Sequence, residues 1–168
     1  MKKIVLAVVF FGVISCQQEK IGFVDNVKLM DGYKEKLDIE AKFKNKSEAF
    51  TKKRDSISQA FQMEAQDFQS RAQKLAQAKA QEEYSLLQQR SQFIGQQLQQ
   101  EEQQLQMQGQ TEMDSLVSKI KREIKSYGKT NGYSFILSGG DGGSVLYGTE
   151  THNVTDEIVK ILNDNYKK

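Results

Sequence analysis

The sequence predicts an α+β fold in which a small β-containing body carries one long antiparallel helical hairpin. Residues 33–127 contain no proline, have glycine only at Gly95 and Gly109, and consist mainly of good helix formers. The flanking segments, 21–32 and 128–168, instead contain short runs of β-branched and aromatic residues and most of the remaining glycines. A single helix over the middle would hold these segments about 140 Å apart. A hairpin arm returns the chain to its starting point, so that both segments can form one body.

The N-terminus has the features of a lipoprotein signal peptide over residues 1–15. Lys2 and Lys3 precede an apolar run, Ile4–Ile14, whose 11 residues are too few to span a membrane. The run ends in Val-Ile-Ser followed by Cys16, the only cysteine. This pattern resembles the lipobox of bacterial lipoproteins, in which the cysteine is lipidated and becomes the first residue. A soluble secreted protein with an incidental cysteine is the alternative. In some bacteria, an Asp directly after the lipidated cysteine retains a lipoprotein in the inner membrane. No Asp follows Cys16, so the pattern favours an outer-membrane anchor facing the periplasm, with residues 16–20 as a short tether.

Composition excludes several classes of function. One cysteine and one histidine exclude a disulfide scaffold, a cysteine-rich zinc site and the usual nucleophilic triads. Removal of residues 1–15 leaves 22 of the 24 basic residues against 22 acidic ones, so the mature chain is formally neutral and has no basic footprint for nucleic acid. We therefore expect no enzyme activity, no metal, no cofactor and no nucleic-acid partner.

Apolar residues in the middle segment recur at heptad spacing, which indicates helices that pair along a narrow seam. Pairs such as Phe43 with Ile120 and Phe68 with Ile94 have residue numbers that add up to 162 or 163. This sum predicts two arms of about 45 residues, each about 70 Å long, with a turn near Gln81, within 78–83. The candidate residues for the arm seam, or alternatively for direct contact with a bound partner protein, are Phe43, Phe50, Ile57, Phe61, Phe68, Leu75, Leu87, Ile94, Leu98 and Leu105.

The body segments predict short strands and one helix. Ile21–Asp25 and 134–137 have strand-like composition, and a glycine-rich turn leads to a further strand at 145–147. Thr155 is the expected cap of a C-terminal amphipathic helix. With only 53 residues, 21–32 and 128–168 are close to the lower limit for a self-sufficient core, which favours oligomerisation through the body. The candidate body and oligomer residues are Ile21, Phe23, Val24, Phe135, Ile136, Leu137, Val145, Leu146 and Tyr147.

Motifs at both ends resemble the Skp/OmpH-like periplasmic chaperone family. Lys-Ile-Gly-Phe-Val-Asp at 20–25 is similar to its first strand, and Gly-Tyr-Ser-Phe-Ile-Leu at 132–137 to the strand after the second arm. Residues 145–148 and 153–159 resemble its last strand and terminal helix. The resemblance implies a jellyfish-shaped homotrimer that holds unfolded outer-membrane proteins between three arms without ATP. This chain differs from the better-known basic, soluble members because it is neutral when mature and carries the lipobox.

The alternative function is structural: an envelope lipoprotein that spaces two layers, or a coiled-coil adaptor of an export machine. Such adaptors usually add Gly/Pro-rich β domains on both sides of the hairpin, and this chain contains no proline.

Overall fold

Two short parallel strands bracket almost the whole helical part of the chain. The computed structural model describes residues 19–166; Cys16 and the predicted signal peptide lie outside them. The predicted α+β fold, with a small β body and a long helical hairpin, is confirmed. Its elements in chain order are β1 (Ile21–Asp25), α1 (Asn26–Gly32), α2 (Lys34–Ala72), α3 (Gln77–Thr130), β2 (Phe135–Gly139), a 3₁₀ helix (Glu150–His152) and α4 (Thr155–Asn165).

The arm consists of α2 and α3, with 39 and 54 residues, which correspond to lengths of about 58 and 80 Å. The turn near Gln81 was a wrong prediction, because the helices are joined by residues 73–76 and Gln81 lies inside α3. The link is tightened by backbone hydrogen bonds from Lys74 N–H to Arg71 C=O (2.9 Å) and from Leu75 N–H to Ala72 C=O (3.2 Å). It needs neither glycine nor proline, which explains why the sequence does not mark it.

The predicted pairing of the arms is wrong for the same reason. Phe43 lies beside Gly109 instead of Ile120, since a Cβ on Gly109 would be 3.6 Å from the Phe43 ring. Phe68 packs against Tyr84 instead of Ile94, with ring centroids 6.3 Å apart.

Charged side chains distinguish the two registers. A seam with an apolar residue every three or four positions looks similar after a shift of about one heptad. In the predicted register, however, Glu64 would face Leu98. In the structure it forms an ion pair with Arg90 at 2.6 Å.

The core lies where the root of the arm meets α1, α4 and β1. Ile158 and Leu162, one turn apart in α4, are fully buried, as the predicted amphipathic pattern requires. Thr155 is not the cap of α4: its hydroxyl accepts from Asp25 N–H (2.9 Å), and its own N–H donates to Asn153 Oδ1 (3.1 Å). The buried core cluster is Val24, Leu29, Tyr33, Leu116, Ile120, Val154, Ile158 and Leu162.

The sheet has two strands, paired in parallel from Ile21 with Phe135 to Asp25 with Gly139. The further strand predicted at 145–147 is not formed in the single chain. Only Val145 pairs, in an isolated bridge to Gly139. The glycine-rich turn, which has positive φ at Gly140 and Gly142, brings the chain back beside β2 for that one residue.

Candidate functional site

The ten apolar residues predicted for the arm are buried or half-buried. Phe50 is 9% exposed, and it lines a shallow cavity between the helices together with Leu105. Phe43 and Phe68 contact the opposite helix, as described above. Of the two roles left open for these residues, their positions favour the seam over direct contact with another protein.

A second set of apolar side chains on the arm was missed by the sequence reasoning. Met63, Leu86, Phe93 and Met107 are 70, 56, 64 and 61% exposed, so most of each side chain is available to a partner. They fall outside the seam positions of the heptad pattern. The sequence feature that could have identified them is their position directly before seam residues. Because Leu86 and Phe93 precede Leu87 and Ile94, α3 contains more apolar residues than the seam can bury.

Three of these side chains lie at one level in the distal half of the arm, around an inter-helix ion pair. Arg90 Nη1 is 2.6 Å from Glu64 Oε1. Leu86 and Phe93 lie four residues before and three residues after Arg90, on the same face of α3. Met63 directly precedes Glu64 in α2. We call Met63, Leu86 and Phe93 the distal arm patch; the Glu64–Arg90 ion pair lies at the same level of the arm.

The root of the arm is fixed by a polar network that joins α2, α3 and α4. Glu35 accepts hydrogen bonds from the buried Tyr33 hydroxyl and from Lys119 Nζ, the latter at 2.5 Å. The Tyr166 hydroxyl donates to Asp38 Oδ2 (3.0 Å), and the Tyr166 ring meets Tyr33 edge-on at 6.4 Å. This network connects the C-terminal helix to the start of the arm.

Two ionisable groups of this network, Tyr33 and Glu35, have pKa values shifted in opposite directions. Burial raises the pKa of Tyr33 well above its ordinary value, and the hydrogen bond to Glu35 adds to the effect. Burial alone would raise the pKa of Glu35, but the hydrogen bonds from Lys119 and Tyr33 outweigh it and hold that pKa below its usual range. Both shifts favour a neutral Tyr33 hydroxyl that donates its hydrogen bond to a charged Glu35 carboxylate.

The body has an apolar groove of about 780 Å³ between α1, α3 and β2. Lys121, Lys125 and Lys129 recur every four residues on α3 along the groove. Its apolar lining is Val24, Leu29, Met30, Val117, Ile120, Ile124, Tyr133, Ile136 and Leu137.

The nine residues predicted for the body are divided between this groove and a separate exposed surface. Val24, Ile136 and Leu137 line the groove. Ile21 and Phe135 pair on the sheet and are 41 and 54% exposed. The half-buried Phe23 lies against Gly148, next to the segment that contains the remaining three residues, Val145, Leu146 and Tyr147.

Residues 19–166 contain no group of three or more His, Cys, Asp or Glu side chains placed to hold a metal ion. Within the same range, no helix is both long and apolar enough to cross a membrane.

Comparison with known proteins identifies the family. The family model for outer membrane proteins of the OmpH-like type matches residues 20–162, which is most of the chain. The fold is similar to the crystal structure of a candidate outer membrane chaperone (OmpH-like) from Caulobacter crescentus CB15, with a TM-score of 0.79 at 13% identity. The match covers 90% of this chain and 88% of that one. No curated protein matches the sequence. By its sequence over residues 20–162, the chain belongs to the OmpH-like family of outer membrane proteins.

Proposed function

We propose that this protein is an ATP-independent holdase chaperone of the bacterial periplasm, which binds unfolded outer-membrane proteins and prevents their aggregation. Family membership supports a chaperone role, and the similar Caulobacter protein is itself described as a candidate outer membrane chaperone. The observation that carries the proposal is the distal arm patch. It places three large apolar side chains in solvent, although the seam beside them is already filled by other residues.

The arm surface suits clients without a fixed shape. Unfolded outer-membrane proteins contain segments with alternating apolar residues, which aggregate in water. Separate apolar anchors on a glutamine-rich helix can contact many such segments, because they impose no single pocket shape. Each contact is weak, so retention of a client requires several contacts at once. No energy source is needed, because holding is mass action on the unfolded state.

Trimer formation and lipid anchoring are further parts of the proposal. Three arms on one body would provide the several contacts that retention requires, and the open apolar groove of the body supports self-association. Cys16 would carry the lipid and hold the trimer at a membrane, which we expect to be the outer membrane of a Gram-negative bacterium.

The test measures aggregation of an unfolded outer-membrane protein diluted from urea, followed by turbidity. The mature protein should suppress turbidity at a threefold molar excess of trimer. The variant Met63→Gln, Leu86→Gln, Phe93→Gln should lose most of that suppression. The matched control replaces neighbouring exposed polar residues, Gln62→Ala, Gln89→Ala and Gln92→Ala, and should behave as wild type.

Two results would contradict the proposal in different ways. Unchanged aggregation with the wild-type protein would remove the holdase function and leave the structural spacer or adaptor as the better hypothesis. Full suppression by the patch variant would keep the holdase function but move client binding to another surface.

A further inference from the structure

The methionines of the mature chain divide into two covered and two uncovered side chains. Met30 and Met113 are partly buried and pack against the core of the body. Met63 in α2 and Met107 in α3 have most of their side chains in solvent. The remaining methionine, Met1, belongs to the predicted signal peptide. The arm therefore presents two thioether side chains to solvent, while the two of the body are covered.

The two exposed methionines have the same surroundings on their helices. Each has a glutamine four residues before it and another three residues after it, and these are Gln59 and Gln66, and Gln103 and Gln110. Residues at these spacings are neighbours on a helix surface. Because neither Met63 nor Met107 is buried in the seam or in the core cluster, a polar group at the sulfur would be solvated and would leave the packing of the arm unchanged.

The rest of the chain offers an oxidant few better targets. Residues 17–168 contain no cysteine and no tryptophan, and we expect the sulfur of Cys16 to carry the lipid. The thioethers are then the most readily oxidised side chains that remain. Oxidation by two electrons converts methionine, a flexible apolar side chain, into a polar sulfoxide. On the surface of the arm, this reaction removes an apolar contact site without disturbing the fold.

We propose that Met63 is a reversible oxidation site, and that its oxidation weakens the binding of unfolded proteins by the arm. Met63 belongs to the distal arm patch, so its sulfoxide places a hydrated polar group where an apolar segment has to be covered. Met107 is oxidised as readily, but it lies outside the patch. The effect on holding rests on the proposed function, whereas the order in which the methionines are oxidised does not.

The oxidant that we consider is hypochlorous acid, which accepts two electrons. The thioether sulfur attacks its chlorine, which gives a chlorosulfonium ion and hydroxide. The oxygen of water then bonds to sulfur as chloride leaves, and two protons are lost, one of them to the hydroxide. Each hypochlorous acid consumed thus yields one sulfoxide, one chloride and one proton. A methionine sulfoxide reductase restores the thioether with two electrons and two protons, and it releases water.

Peptide mass spectrometry of the mature protein tests the site. As hypochlorous acid is increased, the peptides with Met63 and Met107 should gain one oxygen before those with Met30 and Met113. The helical circular dichroism should persist while the two arm methionines react. Earlier oxidation of the body methionines, or loss of helix as the arm methionines react, would overturn the inference.

Turbidity of an unfolded outer-membrane protein tests the consequence. The readout for each variant is the protein concentration needed for half suppression after oxidation, divided by the concentration needed before it. For wild type this ratio should be about threefold or more, because each arm loses one apolar contact and retention depends on several contacts at once. For Met63→Leu, which stays apolar without a sulfur, the ratio should be near unity. The matched control is Met107→Leu, which removes the same sulfur from the same glutamine-rich setting and should give the wild-type ratio.

Reduction completes the test. Incubation of oxidised wild type with methionine sulfoxide reductases should restore holding, which separates the sulfoxide from chlorination of other side chains. A wild-type ratio near unity, equal ratios for Met63→Leu and wild type, protection by Met107→Leu, or no recovery on reduction would each overturn the inference and leave the holdase standing. Untreated wild type that suppresses no aggregation would remove the proposed function and, with it, the effect of oxidation.

Discussion

Lys53 and Glu101 face each other across the arm, with Nζ 2.6 Å from Oε2, and their residue numbers add up to 154. Other inter-helix ion pairs share this sum: Lys42 with Glu112, Glu64 with Arg90, Arg71 with Glu83, and Glu35 with Lys119. Since their spacing within each helix is 7 or 11 residues, the pairs lie along one flank of the hairpin. Exposed pairs contribute about 0–1 kcal/mol each. Their main effect is therefore to select one register among several that the apolar seam would allow.

The register predicts how the arm tolerates deletions. Removing 43–49 together with 105–111 deletes seven opposed residues from each helix and keeps every ion pair named above. The melting temperature, measured by far-ultraviolet circular dichroism, should stay close to that of wild type. Removing 43–49 alone lets the apolar seam re-form after a slip of one heptad, but it displaces the ion pairs beyond the deletion. A decrease of about 5 °C or more is expected. Equal melting of the two variants would contradict the register.

Acid should loosen the root of the arm through Glu35. Its pKa is lowered in the folded protein, so its contribution to stability is complete above the pKa of the unfolded chain and is lost as the pH falls through the folded value. Lys119 and Tyr33 hydrogen-bond to it, while Asp38, Lys42 and Glu112 share the adjacent cavity. Glu35→Gln should lower the free energy of unfolding by about 1 kcal/mol at neutral pH. In urea melts at decreasing pH, the free energy of unfolding of the variant should also fall less steeply than that of wild type. If the free energy of unfolding decreased equally steeply with falling pH in variant and wild type, other carboxylates would be responsible for the acid sensitivity.

Gly95 is a position where the arm is less stable than it could be. It lies inside α3, and a Cβ there would meet nothing within 4 Å. Gly95→Ala should therefore stabilise the arm by up to about 1 kcal/mol, because glycine loses more backbone conformational entropy than alanine when the helix folds. Hydrogen exchange of the amides around residue 95 should slow accordingly.

The comparator for this variant is Gly128→Ala. Gly128 is buried, and the new methyl would be 3.3 Å from Ile136 Cδ1, so the tight contact should offset the gain in helix propensity. A stabilisation at Gly128 as large as that at Gly95 would show that the packing there yields easily.

Cys16 predicts the mode of membrane attachment. Cys16→Ala removes the only thiol of the chain, so radiolabelled palmitate should no longer be incorporated and the protein should leave the membrane fraction. Incorporation equal to wild type would place any lipid elsewhere and remove the lipoprotein interpretation.

The division into arm and body was predictable because it follows from composition and from apolar periodicity, both of which are local. The buried face of α4 was predictable for the same reason, since Ile158 and Leu162 recur at helical spacing. The turn was not, because residues 73–76 contain no glycine or proline and the seam repeats itself after a heptad. Charge pairs such as Lys53 with Glu101 contained the missing information.

The candidate site was only partly predictable. Heptad spacing identifies residues that serve the seam, so it selected Phe43 and Phe50 and passed over Phe93, whose position outside the seam is what exposes it. At 145–147, strand composition is present, but a strand also requires a partner. Local sequence does not say whether that partner belongs to the same chain.

The pairing of Ile21 with Phe135 joins residues 114 positions apart in the chain. A contact of such high order is slow to form from an open coil, because a long loop must close before any bond is gained. The arm shortens this search. Once α2 and α3 have paired, the start of α2 and the end of α3 lie side by side at the root of the arm, which brings β1 and β2 close together. The hairpin is thus a folding template for the body as well as a projection from it. The sheet should therefore assemble faster when the α2–α3 hairpin is more stable, although the hairpin contributes no strand to the sheet.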